Sequence, residues 1–108
     1  MNQEPTASSK ARRRADRALV GTYYEARLVD LLERVRDGFV NDDAGELDAF
    51  ELDDLIHRYK RATRELWKFC GNLTGSSTHF AARTLEEMQA RGERIDWWER
   101  GNPPRDRT

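Results

Sequence analysis

Apolar residues recur along most of this chain at spacings of three and four, and no segment alternates as a half-buried strand would. Over residues 18–40, Tyr24, Leu28, Leu31, Leu32, Val35 and Phe39 fall on one stripe with charges between them. That pattern predicts an amphipathic helix. Thr22 with Glu25 three residues on fits a capping box at its start, with a start near Ala15 as the alternative. The helix should stop near Phe39 or Val40, because Asn41-Asp42-Asp43-Ala44-Gly45 is turn chemistry.

Asp48 then reads as the N-cap of a second helix, with Glu51 in the box position. Leu52, Leu55, Ile56, Tyr59, Ala62, Leu66, Phe69 and Cys70 form its apolar row, and Gly71 follows as a left-handed cap. No Gly or Pro interrupts 49–70, which predicts a helix roughly 33 Å long. After a loop over 72–77, a third helix capped by Ser76 or Ser77 should run to about Arg91. Ala81, Leu85 and Met88 would form its buried row, with Phe80 beside them. Ile95, Trp97 and Trp98 predict a short helical turn docked on the rest, and Asn102-Pro103-Pro104 ends it.

These elements predict an all-α fold, an antiparallel helical hairpin plus a shorter third helix packed as a three-helix bundle over residues 18–100. A basic, disordered N-terminal arm would occupy 1–17 and a polar, disordered C-terminal tail 101–108. A domain of this size buries a modest fraction of its surface, which favours a partner subunit or a bound ligand. One cysteine forms no internal disulfide, and no apolar run nears the roughly 20 residues of a membrane helix. The short run Ala18-Leu19-Val20-Gly21 after the basic cluster is too brief for a signal peptide core. A cytoplasmic protein is the expectation.

Charge is unevenly distributed although its net value is only −1. Asp37, Asp42, Asp43, Glu46, Asp48, Glu51, Asp53 and Asp54 follow one another without an intervening Lys or Arg, so a hairpin would gather them at its tip. Acids at a helix start and bases at its end complement the macrodipole and account for part of this. The macrodipole does not account for the cluster Arg12, Arg13, Arg14. A basic ridge of Lys60, Arg61, Arg64 and Lys68 on the second helix joins it as a candidate for contact with nucleic-acid phosphates. A sequence pI near 6.1 weighs against a dedicated nucleic-acid binder.

The chemistry of catalysis and metal binding is thin. Asp54 and His57 share a helix face, but a di-metal bundle needs a second such pair, and one cysteine with two histidines falls short of a structural zinc site. Cys70 reads as a small buried hydrophobe. No catalytic residue, metal ligand or cofactor is predicted. The leading expectation is a non-catalytic interaction module that binds a protein partner or itself, with Trp67, Trp97, Trp98 and Tyr23 as candidate contacts because aromatic residues anchor interfaces. The alternative is a nucleic-acid-associated accessory protein acting through the arm and ridge.

Overall fold

A computed structural model describes residues 5–71 and 75–103. Among them all regular structure is helical, in four helices: α1 (Pro5–Asp43), α2 (Ala49–Phe69), α3 (Gly75–Arg91) and α4 (Trp97–Arg100). The chain divides into two units. Residues up to Glu25 join Trp67–Arg94 in the first. Residues Ala26–Leu66 and the segment from Ile95 onward form the second.

In the second unit, the later part of α1 and most of α2 form a helical hairpin. Its turn is built as the sequence requires. Gly45 takes φ +80, its N–H donates to the Asp42 carbonyl, and the Glu46 N–H donates back to Asn41. That pair of bonds is a Schellman motif, closing orphan carbonyls at the end of α1. It places the helix end at Asp43 rather than Phe39 or Val40, because the Gly needed for the left-handed cap comes only at 45. The predicted capping box at α2 is present: the Asp48 carboxylate accepts from the Glu51 N–H at 2.8 Å, and the Glu51 side chain accepts from the Asp48 N–H at 3.0 Å. Inside the hairpin Gly38 is buried, and a Cβ there would lie 3.0 Å from Leu55 Cδ1. The missing side chain lets α2 approach α1 closely.

α4 docks on α2 within this unit. Asp96 caps it by accepting from the Glu99 N–H. Gly101 then lies so close to α2 that a Cβ would come within 2.6 Å of the Arg58 carbonyl oxygen and 2.9 Å of Ala62 Cβ. The short helical turn expected around Trp97 and Trp98 is therefore present. The tail expected from 101 begins with a buried glycine, and residues 104–108 lie outside the described residues.

The first unit differs most from expectation. The stretch predicted as an arm is helical from Pro5 and continuous with α1, so Thr22 and Glu25 lie in mid-helix and cap nothing. Residues 1–4 of that arm, and the loop residues 72–74, lie outside the described residues. The physical reason for the added helix is burial: Asp16 and Val20 are 4% and 0% exposed. Asp16 is held there by α3, whose His79 and Arg83 both pair with its carboxylate. Ala81, Ala82 and Leu85 of α3 are buried in the same unit, whereas Phe80, expected beside the buried row, is 69% exposed. Gly71, φ +67, ends α2 as predicted, and a Cβ there would fall 2.7 Å from the Ser77 backbone carbon. Gly92, φ +70, ends α3 with a second Schellman pair, Gly92 to Gln89 and Glu93 to Met88.

Candidate interaction surfaces

Each aromatic residue singled out from sequence has a defined place. Tyr23 is half-buried against Phe69, with ring centroids 5.8 Å apart, and Tyr24 packs on Trp67 at 5.5 Å. Both pairs lie in the first unit and hold the end of α2 against α1. Trp67 nonetheless keeps 39% of its surface exposed. Adjacent residues in a helical turn point about 100° apart, and α4 uses this to turn Trp97 inward, to 4% exposure, while Trp98 stays half-buried. Burial removes Trp97 from any surface a partner can touch.

Trp98 sits in an arginine bracket. The Arg58 guanidinium lies 4.5 Å from its ring centroid and Arg34 lies 5.4 Å away. Arg58 Nε also donates to the Trp98 carbonyl at 3.0 Å, and its terminal nitrogen reaches Glu99 at 3.2 Å. Arg61 Nε donates to the Gly101 carbonyl at 2.8 Å. Two arginines of α2 are thereby spent on holding α4. The basic residues divide accordingly. Lys60 and Arg64 are exposed and Arg61 is half-buried, in the second unit; Arg12, Arg13, Arg14 and Lys68 are exposed in the first.

Beside this bracket an open groove of about 610 Å³ is lined by Glu51, Asp54, His57, Arg58, Arg61 and Trp98 among others. Its charges are of both signs. His57 Nδ1 lies 2.8 Å from the Asp53 carbonyl oxygen, which orients the ring. A second, small cavity of about 30 Å³ in the first unit is lined by Arg13, Asp16, Arg17, Thr78 and His79. Thr78 is 5% exposed and its hydroxyl has no hydrogen-bond partner among the described residues. The Asp16–His79 pair next to a hydroxyl resembles the parts of a hydrolytic site. The space suits a water molecule rather than a substrate. Burial pushes the Cys70 thiol up to about 11, so it is a poor nucleophile at neutral pH. Among the described residues no group of three or more His, Cys, Asp or Glu is placed to hold a metal ion.

The surface that sequence reasoning missed is apolar. Val29, Leu32, Phe39 and Val40 are 48%, 47%, 48% and 58% exposed, and Phe50 is 81% exposed. The first four share one face of α1 through spacings of three, seven and one; Val29 and Val40 lie opposite the buried Leu31 and Gly38, with Leu32 and Phe39 between. Leu32 and Phe39 were expected in the core. The stripe is wider than one neighbouring helix can cover, so its edge residues remain in solvent. The sequence signal was present in Val29 and Val40, which lie outside a single buried stripe and give the helix a broad apolar arc. No helix among the described residues is long and apolar enough to cross a membrane. No protein family, curated protein or solved structure matches this chain significantly.

Proposed function

We propose that this protein is a non-catalytic helical interaction module that binds a protein partner or a second copy of itself. The observation that carries this reading is the uncovered stripe of Val29, Leu32, Phe39 and Val40 on α1. Apolar side chains grouped on one exposed face mark interaction sites, whereas scattered ones do not. Trp67 and Trp98 offer further contact area, each anchored by neighbours and so already ordered before binding. The location proposed with this reading is cytoplasmic, and among the described residues no helix is long and apolar enough to cross a membrane.

The test compares the full chain with a Leu32→Asp/Phe39→Asp variant. Partners captured by the native chain, and its own self-association in sedimentation, should both be lost in the variant while helical circular dichroism is kept. A native chain that captures the same proteins as the variant and stays monomeric would retire the interaction reading.

A further inference from the structure

The outward face of α1 reads, in order, Val29, Leu32, Glu33, Arg36, Phe39 and Val40. Positions 29, 32, 36 and 39 alternate spacings of three and four, as the seam of a two-helix coiled coil does. All lie in the second unit. Arg36 interrupts an otherwise apolar seam, and a charge at that position sets orientation and register. Among the described residues neither Arg36 nor Glu33 takes part in an ion pair, and both are exposed. Their charges are therefore open to an outside partner.

We propose that a second copy of this chain docks on this face, α1 against α1, antiparallel about a twofold axis near residue 34. The inference rests on the interaction reading and names its partner. In that register Val29 of one copy meets Phe39 and Val40 of the other, and Arg36 meets Leu32 and Glu33. The twofold makes each contact twice, as an isologous interface must. A parallel pairing would instead set Arg36 on Arg36 and Glu33 on Glu33, so charge selects the antiparallel arrangement. The same charges argue for a second copy over an unrelated partner, because one face already carries both halves of the complementary pair. The contact is shorter than a standard interface of about 1,600 Å², so association should be weak.

Sedimentation equilibrium of the full chain over about 10 µM to 1 mM, a window suited to weak interfaces, tests this. The native chain should dimerise. Glu33→Arg and Arg36→Glu should each weaken the dimer roughly three- to thirtyfold, since each turns two attractive contacts repulsive. The double reversal should return to within about threefold of the native value, the residue of two exposed pairs. Both positions are exposed, so the fold should survive, which circular dichroism checks. A chain that dimerises yet ignores the reversals overturns this face and leaves an interaction module standing. A chain monomeric throughout overturns the dimer, and the capture experiment then decides separately whether another protein is the partner.

Discussion

Asp16 shows how much one residue sets in the first unit. A carboxylate in a low-dielectric setting is costly unless paired and hydrogen-bonded. Here His79 Nδ1 at 3.0 Å and the Arg83 guanidinium supply the partners, and His79 and Arg83 are themselves 43% and 38% exposed. The asymmetry makes an ordered prediction. Arg83→Met strips the buried charge of its stronger partner and should cost about 3 kcal/mol, because breaking a buried pair leaves an uncompensated ion. Asp16→Asn leaves only part-exposed cations and should cost less, about 1–2 kcal/mol for imperfect hydrogen bonding. Urea unfolding of both variants measures the order, and a larger loss in Asp16→Asn would contradict it. The same residue explains why the helical start of α1 was not legible in sequence. A charged side chain among arginines and alanines carries no apolar period, and its burial depends on His79 and Arg83, more than sixty residues away.

At the scale of elements, what could be read from sequence was what local chemistry determines. The Asp48–Glu51 box and the turn around Trp97 and Trp98 use bonds between residues no more than a few positions apart, and Gly71 at the end of α2 needs only its own left-handed φ. The apolar row of α2 was legible for a related reason: a 3/4 pattern ends in the buried Ala62, Leu66 and Cys70. What stayed hidden depends on distant contacts, including the width of the α1 stripe left uncovered by α2 and the choice of Trp97 over Trp98 for burial. The docking of α4 is also of this kind, since Gly101 is required by a piece of chain forty residues earlier. Gly101→Ala should force α4 off α2, because its Cβ would meet the Arg58 carbonyl oxygen at 2.6 Å. Overpacking of this sort costs about 1–3 kcal/mol, and thermal unfolding should fall by several degrees. In a Trp67→Phe background, acrylamide quenching should rise as Trp97 leaves its buried position. Unchanged quenching and melting would mean that α4 is not held through this contact.

For the whole molecule the deciding quantity is charge. The net value of −1 combines an acid-rich hairpin turn with exposed arginines near the start of α1. Nucleic-acid association through Arg12, Arg13 and Arg14 with the α2 ridge is the alternative to the interaction-module reading. Sequence-independent binding scales with the number of phosphates neutralised. Arg61 donates to Gly101, which reduces the ridge to Lys60, Arg64 and Lys68 as exposed cations. The eight acids from Asp37 to Asp54 repel the same backbone over any distance shorter than about 8–10 Å. Titration of the full chain against duplex and single-stranded nucleic acid should therefore give no saturable binding at about 150 mM salt. At about 50 mM salt only weak binding with a shallow salt slope is expected, since few phosphates can be met. Tight binding with a steep slope, lost on Arg12→Glu/Arg13→Glu/Arg14→Glu, would move the function to the phosphate-contacting alternative, because nothing in the apolar face of α1 could produce that dependence.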